Sequence, residues 1–210
     1  MSEYAGWNQV RADVFWGDLA FGDHVVQIYE TERIFIDALE GFVTTGISLG
    51  DCCVVIATES HLKALNRRLE SHGARISSLE AETRYIPLLA EDMLSRFMVN
   101  GMPNEDLFMQ AVLEIFQRAH QAKRMVRAFG EMVAILWVQG NHDATLELER
   151  FWCKFLATET FCLFCAYPKS GFKKRIHATS VYDIYGIHSK IISGSENQLT
   201  DVYYKDRTVA

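Results

Sequence analysis

The sequence predicts an α/β protein with a doubly wound, mainly parallel sheet that carries helices on both faces. From His24 to Tyr167, short apolar runs of strand length alternate with longer segments in which apolar residues recur at helical spacing. Runs such as Cys52–Thr58, CCVVIAT, are apolar throughout, as strands covered on both faces require. The first strand, the first helix and the second strand form a unit that is almost always a right-handed crossover.

The elements follow one another in chain order with short connections. The predicted strands are His24–Tyr29, Cys52–Thr58, Arg84–Leu89, Arg124–Gly130 and Phe161–Tyr167. The predicted helices lie near residues 32–46, 60–72, 92–99 and 105–121, then around Val133, after Asn141 as an N-cap, and over residues 176–192. We divide the chain into an N-terminal arm (1–20), an α/β domain (21–192) and a mobile C-terminal tail (193–210).

Composition excludes several classes of protein. Of the 210 residues, 49% are hydrophobic and 23% are charged, which is typical of a globular domain. The formal charge of -6 gives no electrostatic reason to expect nucleic acid or anionic lipid as a direct partner. There is neither an export signal nor an apolar run of membrane-spanning length, and the five cysteines lie in apolar surroundings. We therefore expect a cytoplasmic protein with reduced thiols.

The sequence lacks a phosphate-binding loop where this fold would carry one. The turn after the first strand is Glu30–Arg33, ETER, which has no glycine and no lysine and places two acids where a triphosphate would lie. Residues 41–48, GFVTTGIS, match the loop pattern except for isoleucine in place of lysine, but they lie at a helix end. Nucleotide hydrolysis by the usual machinery is therefore not expected, and we predict a protein that is not an enzyme.

Several polar residues interrupt the apolar strands or follow their carboxyl ends, where ligands bind in open parallel sheets. They are His24, Gln27, Tyr29, Thr58, Glu59, Arg127, Glu131 and Tyr167. With Trp137 and Phe129 as apolar walls, they predict a pocket for a small organic molecule. Arg127 and Glu131 are four residues apart, so they project on one side of a strand. The sequence leaves open whether they line this pocket or form a structural ion pair.

No cofactor or metal site is predicted. The seven histidines show no metal-ligand spacing, and only His24 is out of place, in a strand and on the face of Val26 and Ile28. Cys162 and Cys165 form a CxxC pattern, but residues three apart in a strand face opposite sides. We interpret both as buried packing thiols.

Blocks of this sequence resemble the MEDS family, a sensory domain described in methanogens and in a regulator of dichloromethane metabolism. The blocks are FWGDLAFGDHVVQIYE (15–30), GDCCVVIAT (50–58), RFMVNGMP (96–103), VRAFGEMVAILWVQGN (126–141) and LFCAYP (163–168). The resemblance implies a RecA-like fold akin to that of circadian-clock ATPases but without the phosphate loop. It also implies a signalling role in bacteria and archaea and the sensing of simple hydrocarbon derivatives.

The resemblance also points to particular residues and partners. Its signature positions are His24, Gln27, Tyr29, Gly130, Glu131, Trp137 and Asn141. Family members are often joined to output domains. Because no such domain is recognised in this sequence, we expect a separate partner such as a histidine kinase or a transcription regulator. The alternative is a non-catalytic interaction or oligomerisation module derived from a RecA-like ATPase, with a homo-oligomer as its assembled form. A nucleotide hydrolase with an unusual loop is a third hypothesis.

Overall fold

The computed structural model describes residues 8–11, 16–172, 178–194 and 201–204. The strands are β1 Asn8–Arg11, β2 His24–Tyr29, β3 Cys52–Ala57, β4 Tyr85–Leu89, β5 Met98–Val99, β6 Met102–Pro103, β7 Val126–Gly130, β8 Phe161–Pro168, β9 Lys190–Gly194 and β10 Asp201–Tyr204. The helices are α1 Glu32–Leu49, α2 Glu59–Ser71, α3 Ile76–Ala81, α4 Ala90–Phe97, α5 Glu105–Gln121, α6 Met132–Val138, α7 His142–Thr158 and α8 Ala178–Ile187.

An eight-stranded sheet forms the centre of the molecule, with the order β1-β10-β9-β2-β8-β7-β3-β4. The six strands from β9 to β4 run parallel. At one edge β10 pairs antiparallel with β9, and β1 pairs antiparallel with β10. Helices α1 to α3 pack on one face, and α4 to α8 pack on the other. The predicted doubly wound, mainly parallel α/β fold is therefore confirmed.

The strand sequences explain their central position. The strand β3 is buried at every residue, and β7 and β8 are buried almost throughout. Their alternate side chains enter two separate cores. Cys162 and Phe164 face α1, whereas Leu163 and Cys165 face the α4–α8 layer. The two cysteines of the CxxC pattern thus lie on opposite faces, as the period of a strand predicts.

Both termini differ from the sequence prediction. The helix predicted over residues 176–192 ends at Ile187, and Lys190–Gly194 form a parallel strand beside β2 instead. Within the predicted tail, Asp201–Tyr204 pair between β9 and β1, so part of this segment is ordered sheet. Asn8–Arg11 of the predicted arm supply that outermost strand. The remaining tail residues, 195–200 and 205–210, lie outside the described part of the chain, and the domain limits stay a prediction.

Residues that resembled a phosphate loop are helical. Residues 41–48 lie inside α1. The N-cap of this helix is Thr31, whose hydroxyl oxygen accepts a hydrogen bond from the Ile34 N–H at 3.4 Å. Among the described residues, no helix is both long and apolar enough to cross a membrane.

Candidate functional site

A cavity of about 290 Å³ lies at the carboxyl edge of the sheet, between the ends of β2, β3, β7 and β8 and helix α6. Its lining consists of Tyr29, Thr58, Glu91, Glu131, Ala134, Ile135, Val138, Gln139 and Pro168. The strand ends contribute polar groups, and α6 contributes an apolar wall. The fold thus brings three of the predicted site residues together here: Tyr29, Thr58 and Glu131.

Glu131 is the buried acid of this cavity. Its backbone N–H donates to the Ile56 carbonyl at 2.9 Å, which fixes the residue between β7 and β3. Its Oε2 accepts a hydrogen bond from the Thr58 N–H at 2.8 Å, and its Oε1 lies 2.7 Å from Nδ1 of His61. Nε2 of His61 lies 2.6 Å from Oε2 of Glu32. The carboxylate is therefore held rigidly, with an imidazole joining it to a second acid.

The cavity's neighbouring acids change the pKa of two side chains. Burial lowers the pKa of His61, but the hydrogen bonds and charges of Glu131 and Glu32 outweigh burial and leave this pKa raised. An imidazolium between two carboxylates is the favoured state. Burial, together with the charges of Glu32 and Glu131, raises the pKa of Tyr29, so its phenol stays protonated.

The Tyr29 hydroxyl is available to a ligand. Its ring stacks on Phe35 with centroids 4.8 Å apart, which orients the side chain. Within the described ranges, no protein group hydrogen-bonds to the hydroxyl. Because the group stays protonated, it supplies a hydrogen-bond donor at the cavity wall.

Arg127 does not pair with Glu131. Its Nε donates to Oδ2 of Asp51 at 2.7 Å, and its Nη1 donates to the Trp16 carbonyl at 2.8 Å. Four residues along a strand span about 13 Å, so a shared face does not bring the two side chains into contact. The sequence left open whether the two residues line a pocket or pair with each other. Arg127 forms a structural ion pair with Asp51, whereas Glu131 lines the cavity and Arg127 does not.

Other predicted site residues lie outside the cavity. Glu59 is on the exposed side of α2 and pairs with Lys63 at 2.7 Å. Gln27 is buried on the α1 face of the sheet. Asn141 caps α7, and its Nδ2 donates to the Gly101 carbonyl at 2.6 Å. Trp137 packs behind the α6 wall and donates to the Gly171 carbonyl at 3.2 Å.

A second polar cluster is buried on the opposite face of the sheet from α1. It contains the two remaining predicted residues, His24 of β2 and Tyr167 of β8, together with Cys165, Glu149 of α7 and His188. Nε2 of His24 lies 3.4 Å from Oε2 of Glu149, and Nε2 of His188 lies 3.6 Å from Oε1 of the same carboxylate. The Tyr167 hydroxyl donates to Oε1 of Glu149.

Burial controls protonation in this cluster. It lowers the pKa of His24 to about 3. It also raises the pKa of Glu149, against the effects of His188 and the Tyr167 hydrogen bond. The pKa of the Cys165 thiol is raised by burial and by the nearby Glu149. Each shift disfavours an isolated charge in a dry interior.

The sequence did not identify several residues of these two sites. His61, Glu91 and Glu32 belong to helices whose polar residues look solvent-exposed in the sequence. Glu149 and His188 are separated from His24 by most of the chain, so no local spacing joins them. The position of His24 on an apolar strand face was the available signal.

Comparisons with known proteins identify the fold and the family. No curated protein matches this sequence. Among solved structures, a KaiC-like protein from the hyperthermophilic archaeon Pyrococcus horikoshii OT3 superposes with a TM-score of 0.59 at 15% sequence identity, covering 90% of this chain and 81% of that one. This likeness establishes a RecA-like fold. The model of the methanogen/methylotroph, DcmR sensory domain matches residues 23–189. The chain therefore belongs to the MEDS family of sensory domains.

Proposed function

We propose that this protein is a cytoplasmic, non-enzymatic sensor module that binds a small organic molecule in the cavity and signals to a partner protein. The observation that carries the proposal is the cavity itself, in which an apolar wall from α6 faces the Tyr29 hydroxyl and the Glu131 carboxylate. This is the edge where open parallel sheets bind ligands. Membership of a family of sensory domains supports the same role.

The cavity's size and charge define the class of ligand. At about 290 Å³ it is at the small end of ligand pockets, which typically measure about 300–1,000 Å³. The carboxylates of Glu91 and Glu131 disfavour anions. The wall formed by Ala134, Ile135 and Val138 favours a hydrocarbon body. We therefore propose a short, neutral or cationic hydrocarbon derivative that has an acceptor for the Tyr29 hydroxyl.

Nucleotide hydrolysis has less support than ligand sensing. Glu30 directly follows β2, and Glu32 is the first residue of α1. These acids oppose a phosphate group at the position where a helix N-terminus would otherwise attract one. We expect no measurable affinity for ATP or GTP.

Isothermal titration calorimetry with small methylated, halogenated and short-chain compounds tests the proposal. Tyr29→Phe removes only the hydroxyl. Glu131→Gln keeps the shape of the side chain but removes the charge and replaces one of the two acceptors for Thr58 and His61 with an NH₂ donor. Tyr29→Phe is expected to weaken binding about 2- to 10-fold, because a neutral hydrogen bond contributes about 0.5–1.5 kcal/mol. Glu131→Gln is expected to weaken it about tenfold or more, because a hydrogen bond to a charged group contributes about 1.5–3 kcal/mol.

Glu59→Gln is the matched control, since Glu59 begins the neighbouring helix but its side chain is exposed and outside the cavity. It is expected to bind like the wild type. If no compound binds the wild type, or if Tyr29→Phe, Glu131→Gln and Glu59→Gln bind equally, the cavity is not the sensing site.

Signalling requires an output that depends on the ligand. We propose a protein partner, such as a histidine kinase or a transcription regulator, because the chain's net charge of -6 does not favour direct contact with nucleic acid. Native mass spectrometry with and without ligand reports the stoichiometry. An assembly that forms equally in both conditions favours the alternative of a ligand-independent interaction or oligomerisation module.

A further inference from the structure

Four metal-binding side chains converge in the buried cluster on the α4–α8 side of the sheet. His24, Glu149, Cys165 and His188 each present one donor atom, and these atoms all lie within 4.8 Å of one another. All four residues are at most 2% exposed. They come from β2, α7, β8 and the residue after α8, so the complete fold is needed to assemble them.

We propose that His24, Glu149, Cys165 and His188 bind a divalent transition-metal ion, and that Zn²⁺ is the ion this donor set suits best. Two imidazoles, one thiolate and one carboxylate are ligands that Zn²⁺ takes in proteins, and four of them complete a tetrahedral site. This site lies on the other side of the sheet from the α1 helix and does not share a residue with the proposed sensing cavity.

The shortest distances between the donor atoms match a tetrahedral site, and all of the donor atoms lie within 4.8 Å of one another. Ligand atoms at about 2.0–2.3 Å from a Zn²⁺ ion are separated from one another by roughly 3.3–3.7 Å. Nε2 of His24 lies 3.4 Å from Oε2 of Glu149 and 3.5 Å from Sγ of Cys165. Sγ of Cys165 lies 4.0 Å from the same carboxylate oxygen. Only small side-chain movements would bring all four donors onto one ion.

The histidines are oriented for metal binding by their other ring nitrogens. Nδ1 of His188 lies 2.6 Å from the Ile184 carbonyl, which only accepts hydrogen bonds, so Nδ1 carries the proton and Nε2 of the neutral ring holds a lone pair. Nδ1 of His24 lies 3.6 Å from Sγ of Cys153. Metal-ligating histidines commonly have such a partner on the second nitrogen. Both Nε2 atoms then face the Glu149 carboxylate.

The electrostatics of the cluster also favour a cation. The lone pair on Nε2 of His188 and the Glu149 carboxylate repel each other in a dry interior unless a proton or a metal ion lies between them. A divalent ion balances one carboxylate and one thiolate, and the two neutral histidines add no charge. The complete site is then neutral overall, which removes most of the cost of burying Glu149.

The ligand set has no open position among the four donors, and the site is closed to solvent. Closed four-ligand zinc sites are typical of structural metal centres rather than catalytic ones. Bound Zn²⁺ would therefore join β2, β8, α7 and the residue after α8, and its removal is expected to lower the melting temperature of the protein.

Metal analysis of the purified full chain is the first test. The protein is expected to contain one Zn²⁺ per chain or, after treatment with a chelator, to take up one equivalent of Zn²⁺ or Co²⁺. The Co²⁺ form is expected to show a thiolate-to-metal charge-transfer band and intense visible bands from tetrahedral geometry. X-ray absorption of the Zn²⁺ form is expected to show one sulfur at about 2.3 Å and nitrogen or oxygen ligands at about 2.0–2.2 Å.

Cys162→Ala and Cys165→Ala form a matched pair, since both cysteines are buried in β8 but face opposite sides of the sheet. Cys165→Ala is expected to lose the charge-transfer band and at least about 100-fold in affinity, because even outer-shell changes cost about 10–100-fold. Cys162→Ala is expected to retain both. Glu149→Gln keeps the shape of the side chain and is also expected to lose affinity.

Two results would overturn the proposal. One is a folded wild-type protein that takes up neither Zn²⁺ nor Co²⁺ in stoichiometric amounts, which would make the cluster a hydrogen-bonded network only. The other is an identical Co²⁺ spectrum for Cys162→Ala and Cys165→Ala. If Cys165→Ala does not fold, the X-ray absorption spectrum of the wild type decides, since a metal site without a sulfur ligand contradicts the assignment.

Discussion

Arg127 and Asp51 form a buried ion pair whose energy can be measured with a double-mutant cycle. Their side chains are 5% and 11% exposed, and Nε of Arg127 lies 2.7 Å from Oδ2 of Asp51. Arg127→Met removes this bond, the bond to the Trp16 carbonyl and a contact over the Phe42 ring. Because it leaves Asp51 buried and unpaired, we expect a loss of about 3–5 kcal/mol in the free energy of unfolding.

Asp51→Asn retains an acceptor for the guanidinium and is expected to cost less, about 1.5–3 kcal/mol. The double variant Arg127→Met, Asp51→Asn leaves no unpaired charge, so its cost is expected to be smaller than the sum of the two single costs by about 1–3 kcal/mol. Urea denaturation measures each value from the midpoint, with an unchanged m-value as the check on two-state behaviour.

The corresponding cycle for Arg127 and Glu131 is the control. Their positions are about 13 Å apart along the strand, and sites this distant are usually additive within about 0.5 kcal/mol. A coupling energy of more than about 1 kcal/mol between Arg127 and Glu131, or of less than about 0.5 kcal/mol between Arg127 and Asp51, would refute the assigned pairing.

Two further predictions concern packing and pH. A Cβ atom at Gly46 would lie 2.6 Å from both Cδ of Arg127 and Sγ of Cys53, so Gly46→Ala is expected to cost about 1–3 kcal/mol despite the better helix propensity of alanine. Gly186→Ala, where the added atom has open space, is expected to stabilise by up to about 1 kcal/mol in the same urea assay. The raised pKa of His61 stabilises the fold fully below the unfolded pKa of about 6.5, and this stabilisation is lost as pH rises through the folded pKa. We therefore expect the urea midpoint of the wild type to exceed that of His61→Gln by more at about pH 6 than at about pH 9. An equal difference between the two midpoints at both pH values would contradict this.

The central strands were predictable because their burial dictates their composition. β3 and β8 are apolar at nearly every position, and only a strand covered on both faces requires this. β9, KIISG, and β10, DVYY, contain residues that favour strands, but each strand has only four or five residues, too few for the local pattern to separate it from a helix end or a tail. These segments are strands because they pair with neighbouring strands, and the local sequence does not reveal that pairing.

The cavity was predictable for a topological reason. The carboxyl ends of parallel strands meet at one edge, so Tyr29, Thr58 and Glu131 were expected to converge, and they do. The partner of Arg127 was not predictable, because Asp51 precedes β3 and meets Arg127 only through the pairing of β3 with β7. Glu149 and His188 depend in the same way on how helices from distant parts of the chain pack.

Helix α6 is the element that connects the cavity to the rest of the α4–α8 layer. Its residues Ala134, Ile135 and Val138 line the cavity, while Trp137 faces away from it and packs on Phe172 and Tyr167 with ring centroids 5.0 and 6.1 Å apart. The Tyr167 hydroxyl in turn donates to Glu149 of the buried cluster. A ligand that displaces α6 must therefore disturb a tightly packed aromatic contact, which responds by repacking rather than by gradual deformation. Because α6 directly follows Glu131, the residue that we propose contacts the ligand and the helix that would respond to it are adjacent in the chain.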